Sequence, residues 1–320
     1  MLATVAGFAI AIWAFGATGW ASVLEAVGRI GIGGFVLFCL WFAGVFLLLG
    51  AAWFAAAPGE PVRHLPLFAW ARMVREAASD LLPFSQLGGL VLGARTLIAK
   101  GVPQRRVNSA LLVDMTTEMA AQLVFTLAGI ALFLAAVAGG AEAAKLRPLI
   151  FGGTAVMLAA MAAFFVAQRT GIELAGRLAS RILPGAADAA AEVSEELRAI
   201  YAKPVAVALA FLYNLLAWFG SATGAWLALR MMGVPASFWA MLMVESLIFT
   251  LRSVAFAVPG ALGVQEVGYL LLAPIAGIAP QTMLALSLVK RARDLVLGVP
   301  TLLIWQAGEA RAVMAPRREQ

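Results

Sequence analysis

The chain has one cysteine and one histidine among 320 residues. Cys39 lies inside an apolar run, so no intrachain disulfide can form. His64 alone supplies no histidine pair for a lipid-phosphatase nucleophile and acid, and no His cluster for a metal. No DDxxD, GxSxG, HExxH or GxxxxGK(S/T) pattern occurs, which removes Asp-rich prenyl transfer, nucleophile-elbow hydrolysis, zinc proteolysis and an ATP motor within these residues. The expectation is no catalytic residue, no metal, no cofactor and a protein that is not an enzyme. Charge is also scarce. Charged residues make up 12% and apolar residues 63%, against about 25% and roughly 45–50% in soluble domains. The mean hydropathy of +0.94 excludes a soluble globular enzyme, a disordered chain and a nucleic-acid module.

What is present is a membrane pattern. About 20 apolar residues cross a bilayer as a helix. Six stretches reach that length, at roughly 2–22, 32–57, 108–139, 148–168, 204–229 and 281–306. The first lacks a basic leading region and is read as a span rather than a cleaved signal. Two more apolar stretches, 81–101 and 236–277, are broken by Pro, Gly and charge. Irregular backbone at membrane depth survives only when buried in protein or lining a cavity. Both are therefore expected to be re-entrant hairpins, with Pro83, Gly88, Gly89, Gly101, Pro259, Gly260, Gly263 and Gly277 as hinges.

The net charge of +6 reads as a topology signal. Segments 58–107, 169–203 and the tail hold fifteen of the 23 basic residues, while the opposite connections hold only Arg29, Lys145, Arg147 and Arg230. The positive-inside rule then puts both termini in the cytoplasm. Residues 66–80 look like an interfacial amphipathic helix, with Trp70, Arg72 and Arg75 at headgroup level. Residues 170–203 read as a cytoplasmic helical connection within a single transmembrane domain over 1–320.

Shifting the chain against itself by 176 residues places Pro83 on Pro259, Gly101 on Gly277, Leu112-Val113 on Leu288-Val289, and Glu118 on Asp294. In the topology above, the copies at about 66–139 and 236–307 enter from opposite sides, an inverted-topology plan with its site at the repeat interface. Ten charges fall in or beside the apolar segments: Arg95, Arg252, Lys290, Arg291 and Arg293 against Asp114, Glu118, Glu245, Glu266 and Asp294. Each costs about 2.5–3.5 kcal/mol at mid-bilayer on insertion scales. Their equal numbers suggest internal pairing around a polar cavity. Asp114, Glu118 and Gln122 share one helix face, as do Lys290 and Asp294. The shift superposes Asp114 on Lys290, so the acidic stripe is expected to face the basic one.

Two blocks are more specific. The first is ARMVREAASDLLPFSQLGGLVLGARTLIAKGVP, continuing to LLVDMTTEMAAQLVFTLAG. The second is VPGALGVQEVGYLLLAPIAGIAPQTMLALSLVKRARDLVLGVPTLLIWQ. They resemble the hopanoid biosynthesis-associated HpnL family, within the larger lysylphosphatidylglycerol synthase transmembrane, flippase-like group. The likeness covers about 66–132 and 255–306; the remainder matches only as membrane helices. In one departure, Gly88-Gly89 is followed by Leu90, where the branch leads one to expect an acid. The resemblance implies a multi-pass bacterial inner-membrane protein that moves lipids. The related MprF flippase domain translocates aminoacylated phosphatidylglycerol, and the HpnL branch is associated with hopanoids. Within the matched motifs lie Arg95, Asp114, Glu118, Gly263, Gln265, Glu266, Lys290, Arg291, Arg293 and Asp294.

The expected function is thus a lipid flippase, with a hopanoid-type or other amphiphilic lipid as cargo. The expected translocation residues are Arg95, Asp114, Glu118, Arg252, Gln265, Glu266, Lys290, Arg291, Arg293 and Asp294. The expected partners are the lipid itself and proteins of lipid biosynthesis or transport, and no nucleic acid. The alternatives are an aminoacyl-phospholipid flippase, an intramembrane lipid-modifying enzyme using Asp114 or Glu118 as base, and a scaffold for biosynthetic enzymes.

Overall fold

A computed structural model describes residues 20–82, 85–137, 186–254 and 261–314, with isolated helical positions between 152 and 163. Apart from those isolated positions, the expected span at 148–168 lies outside this set, as do the span at 2–22 (but for its last three residues), Pro83, Pro259 and Gly260. Among the described residues all regular structure is helical. The helices are α1 (Trp20–Gly28), α2 (Gly31–Ala55), α3 (Leu65–Leu81), α4 (Ser85–Ile98), α5 (Gln104–Val137), α6 (Ala186–Tyr201), α7 (Pro204–Met231), α8 (Phe238–Val254), α9 (Val264–Ala276) and α10 (Pro280–Met314).

Three helices are long and apolar enough to cross a membrane: Gly31–Ala55, Gln104–Ala136 and Pro204–Met231. They correspond to the expected spans 32–57, 108–139 and 204–229, the first ending two residues earlier at Ala55 and the last two residues of the second lying outside the described set. The expected span 281–306 lies inside the 35-residue α10, whose middle carries Lys290, Arg291, Arg293 and Asp294. Length suits it to crossing, while those four charges demand partners in the protein.

The punctuation is legible residue by residue. Pro66 stands in the first turn of α3, where its missing N–H costs nothing. Leu82 is extended (φ −94°, ψ 145°) because Pro83 follows and disfavours helix before it. Gly101 and Gly277 both take positive φ, at +90° and +66°, just before α5 and α10. At Gly263 (φ +79°) the backbone N–H donates to Glu266 Oε2 at 2.8 Å, closing the start of α9.

Close packing rests on glycine where two helices meet. A Cβ on Gly50 of α2 would lie 2.4 Å from the Cα of Ala69 in α3. A Cβ on Gly129 of α5 would lie 1.5 Å from Ser246 Oγ in α8. Small residues at such crossings are the usual means of bringing membrane helices together.

Direction follows from the contacts. Arg106 Nη1 donates to Glu60 and its Nε to Glu196, which gathers the loop before α3, the start of α5 and helix α6 at one end of the molecule. Arg95 pairs with Glu309, so α4 and α10 finish at that same end. At the other end Ile30, Met232 and Ile278 share one apolar cluster. Helix α5 therefore leaves the first end and α10 returns to it. Helices α3 and α4 form one antiparallel hairpin opening to the first end. Helix α8 runs antiparallel to α5, as the pairs Thr126–Thr250 and Gln122–Ser253 show.

The reading of 66–80 as an interfacial helix is overturned. Arg72 is fully buried, Arg75 is 8% exposed and Trp70 is only half-buried. The polar face of α3 meets carboxylates of α5 instead of lipid headgroups. An amphipathic pattern records that one face is polar but not what that face meets.

Candidate functional site

Helix α3 carries Arg72 and Arg75 one turn apart, and α5 carries Asp114 and Glu118 one turn apart. The two helices mesh these pairs. Arg72 Nη1 donates to Asp114 Oδ2 at 2.9 Å and Nη2 to Glu118 Oε1 at 2.5 Å. Arg75 Nη1 donates to the same Asp114 oxygen at 2.9 Å and Nη2 to Glu118 Oε2 at 2.8 Å. Arg72 Nε also lies 2.9 Å from Glu76 Oε1. Two planar guanidinium forks straddle two carboxylates, an arrangement that lysine could not reproduce. Asn214 of α7 completes the cluster, donating to Asp114 Oδ1 at 3.3 Å.

A second cluster uses α8, α9 and α10. Lys290 Nζ donates to Glu245 Oε2 at 2.6 Å and to the Tyr269 hydroxyl at 2.9 Å, and that hydroxyl donates to Glu245 Oε1 at 2.5 Å. All three residues are buried. The signs are exchanged between the clusters. The first has bases on α3 and acids on α5. The second has an acid on α8 and a base on α10. Asp114 and Lys290 are the positions that the 176-residue shift superposes.

The expected acidic stripe therefore does not face Lys290. Asp114 and Glu118 are taken by Arg72 and Arg75, and Lys290 by Glu245. Each charge finds its partner on the helix that leads into its own helical triplet. Gln122 leaves the stripe and donates to Ser253 at 2.6 Å, and Asp294 pairs with its neighbour Arg293.

Between the clusters lies a cavity of about 100 Å³. Arg72, Glu76 and Asp80 of α3 and Glu118 of α5 line one part; Arg252 of α8 and Lys290 and Arg293 of α10 line the other. Asp80 Oδ1 accepts from Arg252 Nη2 at 3.3 Å, joining the inner ends of α3 and α8. A smaller recess beside it is lined by Asp80, Arg293 and Asp294. The remaining wall is mostly apolar, with Phe42, Phe46, Trp218 and Phe249 beside Val45, Leu49, Ala217 and Ser221. The Arg293 guanidinium sits 3.8 Å from the centre of the Phe42 ring, and Lys290 Nζ is 5.4 Å from that of Phe249. The indole N–H of Trp218, which also lines the cavity, has no hydrogen-bond partner among the described residues. A buried donor without an acceptor is costly, so this N–H is available to an occupant.

Of the expected site residues, Glu118, Arg252, Lys290 and Arg293 meet at the cavity, with Asp294 in the recess. Asp114 stands behind it as a fully buried anchor. Gln265, Glu266 and Arg291 lie elsewhere: Gln265 donates to Ser287, Ser287 donates to Glu266 at 2.9 Å, and Arg291 lies 3.4 Å from Glu266. They tie α9 to α10. Arg95 is on the outer surface. Gly88 has open space around it, while a Cβ on Gly89 would lie 2.2 Å from Ser79 Oγ, so Gly89 fits α4 against α3. The residues missed at the sequence level are Arg72, Arg75, Glu76, Asp80, Trp218 and Tyr269. For the first four the available signal was their spacing at i, i+3, i+4 and i+8 on one face of α3; nothing local marks Trp218 or Tyr269.

Among the described residues no group of His, Cys, Asp and Glu could hold a metal. A family model described as lysylphosphatidylglycerol synthase TM region matches residues 1–301. None of the curated proteins and none of the solved structures matches the chain.

Proposed function

The chain belongs to the lysylphosphatidylglycerol synthase TM region family, a membrane, lipid-related and flippase-like family, and we propose that within it this protein is a lipid transporter of the HpnL branch. Its cargo is a hopanoid-type or other amphiphilic lipid, moved across or out of the bacterial inner membrane, with both termini cytoplasmic. The protein transports its lipid and does not chemically alter it. The observation that carries this reading is the cavity whose charged groups come from α3, α5, α8 and α10 and whose apolar wall comes mostly from α2 and α7.

The helix pairs α3–α4 and α8–α9 act as re-entrant hairpins of an inverted repeat. Support comes from the opposed directions of α5 and α10, and from the positive-φ glycines at equivalent positions before them. The headgroup enters the cavity while the tail stays in hydrocarbon. Arg252 and Arg293 are the cations that meet the headgroup: Arg252 reaches Asp80 only at 3.3 Å, and Arg293, held by the adjacent Asp294 through Nε and Nη2, also faces the Phe42 ring of the cavity wall. A headgroup oxygen takes the place of one of these carboxylates, and the Trp218 N–H supplies a further donor. Releasing the Asp80–Arg252 contact lets the two hairpins move relative to one another, which is how a bound headgroup changes the side to which the cavity opens.

The test is a lipid comparison of inner and outer membranes with and without the gene, complemented by Arg293→Ala. Unchanged lipid species with one retained in the inner membrane, and no rescue by Arg293→Ala, is the expected result. Complete loss of a species would overturn transport in favour of lipid modification. Retention of an aminoacylated phospholipid would assign the cargo to that class instead.

A further inference from the structure

Arg95 lies apart from the cavity, and its surroundings have the chemistry of a separate site. Leu87, Val91 and Arg95 follow one another at i, i+4 and i+8 and share one face of α4. Leu87 is 75% and Val91 64% exposed, so this face is an apolar stripe that ends in a guanidinium. Beside it runs a groove of about 560 Å³ lined by Val91, Ala94, Arg95, Ile98, Asn108 and Glu309. Its wall is apolar and its rim polar. Lys100 and Arg105, both exposed, stand in and just after the turn that follows α4. Arg105 lies one turn before the lining residue Asn108, on the same helix face.

We infer that this groove binds an anionic phospholipid from the surrounding leaflet, with its phosphate on Arg95 and an acyl chain along Val91 and Leu87. Charge complementarity selects the occupant. Arg95 stands where the apolar stripe ends, with Lys100 and Arg105 next along the chain in the turn and at the start of α5, the pattern that an acyl chain joined to a phosphate matches. Glu309 is the one acid lining the groove. It holds Arg95 in an ion pair whose arginine side chain is 60% exposed. Exposed pairs of this kind are weak, so a lipid phosphate can displace the carboxylate. The site shares no lining residue with the central cavity, and the inference stands whether or not the protein transports lipid.

The experiment titrates the purified full chain, in phosphatidylcholine nanodiscs, with dioleoylphosphatidylglycerol and reads bound lipid by native mass spectrometry. Arg95→Gln should weaken phosphatidylglycerol binding about fivefold, the equivalent of the roughly 1 kcal/mol contributed by one arginine at an anionic surface. Glu309→Gln should strengthen it by a similar factor, because the arginine loses its competitor. Val91→Asp should weaken it as well. Arg95 and Val91 are exposed and Glu309 is part-buried, and elution as a single species checks that each variant folds. Equal binding by wild type and Arg95→Gln would overturn the inference. So would weaker binding by Glu309→Gln, or a loss confined to Val91→Asp.

Discussion

At the scale of single residues, the buried pairs carry the sharpest expectations. Lys290→Met leaves Glu245 buried opposite an apolar group and should destabilise the protein by about 3–5 kcal/mol, read as a lowered Tm in detergent. The double variant Glu245→Leu with Lys290→Met removes both charges and should recover most of that loss, since buried pairs are often replaceable by apolar residues. If the pair only holds the helices, lipid transport returns with stability. If it takes part in transport, stability returns and transport does not. Glu60, outside the membrane helices, gives a pH dependence. Burial pushes its carboxyl up, but the hydrogen bonds it accepts from Arg106 and His64, with the neighbouring positive charge, outweigh it and hold the value below the usual 4.5. A depressed folded-state value adds stability that is present above 4.5 and lost as the pH falls through the folded value. The protection factors of the amides in residues 57–64, taken relative to intrinsic exchange at each pH, should therefore fall on acidification below pH 4.5 in the wild type, and change little over that range in Glu60→Gln.

At the scale of elements, the helices differ in how far their own residues reveal them. Helices α2 and α7 are apolar runs whose expected bounds fall within two residues of the observed ones, because length and hydropathy alone decide a spanning helix. Asp114 and Glu118 stand out as charges in an otherwise apolar stretch. Arg72 and Arg75 do not, because α3 carries enough polar residues to pass for a helix lying on the membrane surface. Their partners lie 39 to 46 residues further along the chain, and no local pattern announces a pairing at that separation. The 176-residue shift implied that Asp114 and Glu118 meet Lys290; Asp114 and Glu118 pair instead with α3 and Lys290 with α8, while Asp80–Arg252 and Arg95–Glu309 are the pairs that cross between the two groups of helices. The α2–α3 crossing yields a test of element packing. Gly50→Ala places a methyl against the backbone of Ala69 and should cost about 1–3 kcal/mol, whereas Gly44→Ala, with open space around it, should be close to neutral in the same unfolding assay.

At the scale of the whole molecule, the contacts sort its ends. Arg63 and Ala202 lie toward the end gathered by Arg106, and Ser237 toward the opposite end. With Cys39 replaced, Arg63→Cys and Ala202→Cys should react with an impermeant maleimide only after spheroplasts are opened, and Ser237→Cys should react in intact ones. Labelling of all three from the same side would overturn the arrangement.

The charges of α3 and α8 have an electrical consequence. Helix α3 holds Arg72 and Arg75 against Glu76 and Asp80, and α8 holds Glu245 against Arg252, so each helix is neutral by itself. A unit charge carried through the membrane potential is worth about 2.3 kcal/mol per 100 mV. A helix with no net charge moves through that field almost free of such work. In the proposed transport, however, each of these helices moves with its hairpin partner, and Arg95 of α4 and Glu266 of α9 give the two hairpins charges of +1 and −1. Voltage would then leave the pair unbiased where both shift together through the field, and would pull them in opposite directions where they part.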